Sequence, residues 1–228
     1  MAFLEAHNIW MTYTDMAAPV EVLRGLEFSL EKGEAIGIFG ASGTGKSTLL
    51  HLLGGLDRPT QGRINAAGFD LSSMSDSELA RFRNREVGFV FQFYHLLPEF
   101  TALENVMLPP LIAGIGKAEA KRRASEVLEE VGLSDRLLHR PARLSGGEQQ
   151  RVAIARAAVM KPRIIFADEP TGNLDKDTGQ KVWDYLRGLN DNMGISLVAV
   201  THNRDLVYGF SRCLELCDGQ LRKFSMLI

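Results

Sequence analysis

Gly40-Ala41-Ser42-Gly43-Thr44-Gly45-Lys46-Ser47 decides how this chain is read. The spacing is that of the phosphate-binding pattern G-x-x-x-x-G-K-[ST], matched at every fixed position. Glycines let the backbone curl until successive N–H groups converge on phosphate oxygens, and the following helix adds the positive end of its dipole. Lys46 is placed to reach the β- and γ-phosphates of a nucleotide, and the Ser47 hydroxyl to hold Mg²⁺. A glycine-rich strand-to-helix turn with no ligand has a similar look, so the flanks matter. Ala35-Ile36-Gly37-Ile38-Phe39 reads as a buried strand before the loop, and Lys46 to Leu56 as a helix after it. Strand, loop and helix in that order are what the pattern needs.

Outward from this loop, three more nearly continuous apolar runs, Val87–Phe91, Ile164–Ala167 and Ser196–Val200, read as strands buried on both faces. Helical patterns separate them, so a parallel α/β sheet is expected. Each run delivers polar residues at its carboxyl end: Gln92, then Asp168-Glu169, then Thr201-His202. Open α/β sheets bind ligands beyond those ends. Asp168 suits Mg²⁺, a hard cation that takes oxygen ligands and keeps several waters, and Glu169 suits an attacking water. Before the loop, Ala6–Tyr13 and Val22–Leu30 read as strands of a half-exposed antiparallel sheet; after it, Arg63–Ala66 reads as a short strand.

Between Gln92 and Ile164 the pattern is helical. Thr101 and Glu104 spell a capping box for a helix that Pro109 is expected to end. Lys117–Val131 is amphipathic, with Gly132 as its stop, and Ser145 opens another helix. The expected organisation is one domain over residues 1–228. Residues 1–92 and 161–228 would form the core with its β subdomain, and 93–160 an inserted helical subdomain. At the end of the chain, Arg212–Cys217, Asp218-Gly219 and Gln220–Phe224 read as strand, turn and strand.

Bulk properties exclude several alternatives. The chain is 45 % hydrophobic and 24 % charged, with a net charge of −2, so no basic field points to nucleic acid. No apolar run approaches the ~20 residues of a spanning helix, and Met1 to Asp15 lacks the layout of a signal peptide. Cys213 and Cys217 fall on one strand about 13 Å apart at ~3.3 Å per residue, too far for a disulfide, which suits reduced, packed thiols.

Leu144-Ser145-Gly146-Gly147-Glu148-Gln149-Gln150-Arg151 is the second informative stretch. Ser145 and Glu148 form a capping box, yet Gly146 and Gly147 cost helix propensity in the first turn. Their presence implies a close approach to the backbone. Phosphate loop, Gln92, this signature, Asp168-Glu169 and His202, in that order, resemble an ATP-binding cassette (ABC) ATPase over about residues 3–222.

The resemblance implies a P-loop NTPase (RecA-like) core and a cofactor pair of ATP and Mg²⁺. It implies a head-to-tail pair of chains with each ATP held between the phosphate loop of one and the signature of the other. Gly40, Ala41, Ser42, Gly43, Thr44, Gly45, Lys46, Ser47 and Thr48 would then bind nucleotide, with Ser145, Gly146 and Gly147 reaching it from the second copy. Ser47, Gln92 and Asp168 would hold Mg²⁺. Glu169, His202, Gln92 and Lys46 would carry catalysis, with His202 on the γ-phosphate. Tyr13 resembles the aromatic residue that stacks on adenine, and Trp10 competes for that place. Asn173-Leu174-Asp175 resembles the D-loop, with Asp175 also suited to cap a helix. Two positions depart from the common pattern: Glu148 replaces a glutamine and is expected to turn away from the nucleotide toward Arg151, and Asn203 replaces an aspartate.

With one phosphate loop and about a hundred residues from it to the signature, without heptads, the chain is most similar to a separately encoded transporter subunit. The stretch from Phe91 to Val106, with Asp168 to Asp175, resembles the MacB/LolD/FtsE branch, and within it the ATPases of lipoprotein release. That implies integral-membrane permease partners and a peripheral position on the cytoplasmic face of the inner membrane. Exposed aromatics in Phe91–Phe100 would line a groove for the permease. An efflux ATPase, a cell-division signalling ATPase and a soluble nucleic-acid ATPase are the competing readings.

Overall fold

The computed structural model describes residues 2–14, 18–202 and 210–224. They divide into two compact units, one drawn from Met1–Ala80 and Ser196–Ile228, the other from Arg81–Ile195.

In the first unit, β1 (Leu4–Tyr13) pairs antiparallel with β2 (Val20–Leu30) and with β4 (Gln61–Ala66), and β5 (Phe69–Asp70) closes the edge in the order β2-β1-β4-β5. This is the expected antiparallel β subdomain. Its inward positions, among them Leu4, Ala6, Ile9, Leu26 and Leu30, are buried. A second set of strands runs β10-β9-β3-β8: β3 (Ala35–Phe39) lies parallel to both β8 (Ser196–Thr201) and β9 (Arg212–Cys217), and β10 (Gln220–Lys223) turns back on β9. All of β3 and β8 is buried, as strands covered on both faces must be. The β9–β10 hairpin turns on Asp218 at φ 51° and Gly219 at φ 76°, and Gly219 O accepts from Arg24 N of β2 at 3.0 Å. Cys213 and Cys217 are not disulfide-bonded and are half-buried.

Helix α1 (Lys46–Leu53) is one turn shorter than expected. Gly55 at φ 68° ends it: Leu56 N donates to His51 O at 2.8 Å and Gly55 N to Leu52 O at 3.1 Å, a left-handed cap that glycine takes without strain. Helix α2 (Asp76–Glu86) opens on Ser75, whose N–H donates to Glu78 Oε2 at 2.8 Å, and leads into the second unit.

In the second unit, β6 (Val87–Phe91) lies parallel to β7 (Ile164–Asp168). Helices α3 (Ala102–Ile112), α4 (Lys117–Glu130) and α5 (Gly146–Ala158) pack around Val106, Leu128, Val152 and Ala155, and α6 (Lys176–Met193) follows β7. Helix α3 does not stop at Pro109; it runs through Pro109 and Pro110 to Ile112. Two prolines near its end remove only two N–H donors, while burial of Met107 and Pro110 holds that turn in place. Helix α4 ends as expected at Gly132, φ 71°.

Candidate functional site

The phosphate loop is built as an open cradle. Gly40 has no room for a side chain: a Cβ there lies 2.7 Å from Leu216 O. Gly43 and Gly45 sit at φ 80° and 96°, a region costly for other residues. Helix α1 begins on Gly45 with no side-chain cap and no acidic residue in its first turn, which leaves its N-terminal donors to a ligand. Ala41, Ser42, Gly43 and Ser47 are exposed, while Thr44 and Thr48 are half-buried. Lys46 is 7 % exposed, and its Nζ donates to Gly40 O and Ala41 O, both at 2.9 Å. The ammonium thus spans the mouth of the loop. Tyr13 Oη lies 3.3 Å from Thr48 Oγ1, so the β1 tyrosine stands against the phosphate-loop helix. Trp10 instead hydrogen-bonds Asn8 Oδ1 at 3.0 Å and packs its indole on Gly25.

Parallel register places the strand ends side by side within each unit. Phe39 pairs with Thr201, so Gly40 and the exposed His202 leave adjacent strands at one edge. Asn203 lies outside the described residues. In the second unit Phe91 pairs with Asp168, so Gln92 and Glu169 leave adjacent strands together. Glu169 adopts φ 46°, and its carbonyl accepts from Gly172 N at 3.0 Å, which folds Glu169–Gly172 into a tight turn. Gln150 of α5 is fully buried and donates from Nε2 to Pro170 O at 2.7 Å, tying the signature helix to that turn. Asp175 caps α6, accepting from Thr178 N at 3.0 Å, and this bond leads the causes that hold its carboxyl below the usual range.

At the signature, Ser145 caps α5. Its Oγ accepts from Glu148 N at 3.3 Å, and Ser145 N donates to Glu148 Oε2 at 2.8 Å. Glu148 pairs with Arg136 (Nε to Oε1, 3.0 Å), where Arg151 was expected. The capping box fixes its direction, and Arg136, in the short 3₁₀ turn Ser134–Arg136, stands on that side. The close approach implied by Gly146 and Gly147 is made within the chain: a Cβ on Gly146 falls 2.9 Å from Tyr94 Oη, and one on Gly147 2.3 Å from Thr178 Cγ2.

Two features escape a reading of the sequence. Tyr94 and His95 both take positive φ, at 57° and 47°, with no glycine to signal it. Their carbonyls are clamped by Arg156 of α5, Nη2 to Tyr94 O at 2.8 Å and Nη1 to His95 O at 2.5 Å. Burial of that guanidinium lowers its pKa from the usual value. The second is a reciprocal pair between Gln92 and Asn173, each contact 3.1 Å long.

A phosphate loop at an uncapped helix, together with an acidic strand end and a doubly glycine-started helix, defines a P-loop nucleotide-binding cassette. The chain belongs to the ABC transporter family, whose profile matches residues 23–172. It is 50 % identical over 218 residues to the lipoprotein-releasing system ATP-binding protein LolD of Syntrophus aciditrophicus, covering 96 % of this chain and 98 % of that protein. The LolD protein of Geobacter metallireducens is 51 % identical over 220 residues, with the same coverage. Among solved structures, a dimeric post-hydrolysis state of an ATP-binding cassette bound to ADP and Pi superposes with a TM-score of 0.89. It is 38 % identical and covers 97 % of this chain and 99 % of its own.

Proposed function

We propose that this chain is the ATP-hydrolysing subunit of an ABC transporter that drives lipoprotein release from the bacterial inner membrane. It works as a head-to-tail pair on the cytoplasmic face, bound to integral-membrane permeases. No helix among the described residues is long and apolar enough to cross a membrane. The observation that carries the reading is the buried Lys46 ammonium across the mouth of a loop that opens into an uncapped helix N-terminus. The load is argued from the lipoprotein-releasing relatives, which match nearly end to end.

In this reading Gly40 to Thr48 receive the phosphates, and Lys46 exchanges its two carbonyl partners for β- and γ-phosphate oxygens. Tyr13 stacks on adenine. Ser145, Gly146 and Gly147 of one copy meet the γ-phosphate held by the other. The Ser145 hydroxyl accepts from Glu148 N and shares its proton with the Glu148 carboxylate, and would turn that proton to a phosphate oxygen when ATP arrives. Glu169 orients and polarises the attacking water, His202 steadies the γ-phosphate, and in-line attack gives ADP and phosphate. Ser47, Gln92 and Asp168 offer a hydroxyl, an amide oxygen and one carboxylate, a hard-oxygen set suited to Mg²⁺. When bound, Mg²⁺ neutralises charge developing on the transferred phosphoryl group. The domain organisation that goes with this function is a core of residues 1–92 and 161–228 carrying a helical insertion at 93–160. Phe93 (68 % exposed), Leu97 and Phe100 present apolar surface just after Gln92, the place for a permease helix to press.

The test uses tagged Glu169→Gln, which should retain ATP binding while turnover falls at least about a hundredfold. Captured with ATP from detergent-solubilised membranes of the native host, it should bring down permeases of the lipoprotein-releasing type. An efflux permease or a cell-division membrane protein would keep the motor and change its load. Wild-type turnover in the variant would overturn the role of Glu169.

A further inference from the structure

We propose that Asn173 is a positioning residue that sets which end of the Gln92 amide is presented to the cation; this rests on the reading of Gln92 as an Mg²⁺ ligand. The two ends of a glutamine amide have nearly the same shape, yet only the oxygen can bind a cation. Something must therefore choose between them, and in this chain the choice is made by a short relay. The Gln92 backbone carbonyl can only accept, so the Asn173 group facing it at 3.1 Å is the Nδ2 donor. That fixes Asn173 Oδ1 on the other side of the Asn173 amide, where it too can only accept. It faces the Gln92 side chain at 3.1 Å, and so draws Nε2 toward itself. Gln92 Oε1 is left as the pole turned away from Asn173.

The floor beneath this relay is made for it. Gly172 carries no side chain where a Cβ would stand 2.9 Å from Gln92 Nε2, so the amide sits close against the turn that begins at Glu169. The Gln92 backbone and side chain are thus held by one residue, and the loop after β6 is anchored to the turn after β7. Asn173 touches neither nucleotide nor cation in this scheme. It acts through Gln92.

The test is calorimetric and needs no turnover. ATP affinity is measured with Mg²⁺ and with EDTA in the Glu169→Gln protein, and again after adding Asn173→Leu, Asn173→Asp or Gln92→Ala. Asn173→Leu keeps the branching of the side chain, with two methyl groups in place of the amide oxygen and nitrogen, and removes both bonds. It should cut the Mg²⁺-dependent part of ATP affinity by about three- to tenfold, the worth of one or two hydrogen bonds, and leave the EDTA value unchanged. Asn173→Asp keeps the acceptor for Nε2 and loses the donor, so it should fall between. Gln92→Ala should lose the same Mg²⁺-dependent part, and adding Asn173→Leu to it should cost nothing more. If Gln92→Ala acts and Asn173→Leu does not, the proposal is overturned while Gln92 keeps its role. An equal loss with and without Mg²⁺ in Asn173→Leu would also overturn it, as mere structural damage. If Gln92→Ala itself leaves the Mg²⁺ dependence intact, the cation-ligand reading of Gln92 falls, and the proposal with it. Asn173 is exposed, and Asn173→Ala replaces the leucine variant if that one fails to fold.

Discussion

The helix starts of the phosphate loop and of the signature are both glycine-rich, and they are finished in opposite ways. At α1 the glycine is the cap itself, no side chain satisfies the first N–H groups, and a lysine of the first turn bends back over the loop. At α5 the serine–glutamate box already satisfies two donors, the glycines are in the first turn, and Tyr94 and Thr178 press on them. An uncapped end leaves several donors for one multiply charged ligand and requires a cation to help hold it. A self-capped end is stable without a ligand, and offers a hydroxyl and a dipole. In the function proposed above, the first is the primary phosphate site, and the second completes a site that another copy of the chain has filled.

Lys46→Ala gives the hardest test of that contrast. Removing the Lys46 ammonium should weaken ATP binding by at least about a hundredfold, or about 3 kcal/mol, as seen by titration calorimetry. Unchanged affinity would mean that the uncapped end is not a phosphate site. Next comes Gly45→Ala. The residue sits at φ 96°, and its new Cβ would stand 2.5 Å from Val22 Cγ1, so folding stability should fall by about 2–3 kcal/mol and Tm by roughly 5–10 °C. A neutral outcome would show that the loop tolerates a right-handed path.

What the sequence made legible follows the same division between local and distant causes. The capping boxes at Thr101 and Ser145 and the cap at Asp175 depend on residues three positions apart, and each stands in the structure. The buried strands were readable because both their faces are covered, and parallel register then brings their carboxyl ends together. Gln92 was legible as a residue at a strand end, but its partner Asn173 lies 81 positions away, and no local pattern couples them. Arg156 reads as one polar residue on an alanine-rich helix; its job of holding Tyr94 and His95 in left-handed conformations needs a contact across about 60 positions. The expected stop at Pro109 failed for a related reason. A local rule about missing N–H groups yielded to the burial of Val106, Met107 and Pro110, which only the packed helices reveal.

Ser145→Ala sharpens the comparison from the other side. Losing the cap should cost about 1 kcal/mol of folding stability in urea melts. ATP affinity of the separate chain should not change, because the open end is untouched. ATP-dependent pairing in a Glu169→Gln background, followed by size-exclusion chromatography, should be lost. Pairing that survives would remove Ser145 from the shared site.

Glu148→Gln has the smallest expected effect and isolates what charge adds to the self-capped end. Glutamine can still reach back to the Ser145 N–H, so the box survives, and only the partly exposed pair with Arg136 is lost. Its worth should be a few tenths of a kcal/mol near neutral pH. The pH dependence gives the sign. The hydrogen bond from Ser145 N, and after it the one from Arg136, hold the folded Glu148 carboxyl below its ordinary value of 4.5. A depressed folded pKa means that its contribution is present above the ordinary glutamate range and is lost as pH falls through the folded value. Urea midpoints of wild type and Glu148→Gln should therefore differ slightly at pH 7 and converge as the pH is lowered from 5 toward 4 and below. A difference that stays constant with pH would assign it to packing. A difference above about 1 kcal/mol would make the α5 cap depend on charge as the phosphate loop does, and the contrast between the two helix starts would fail.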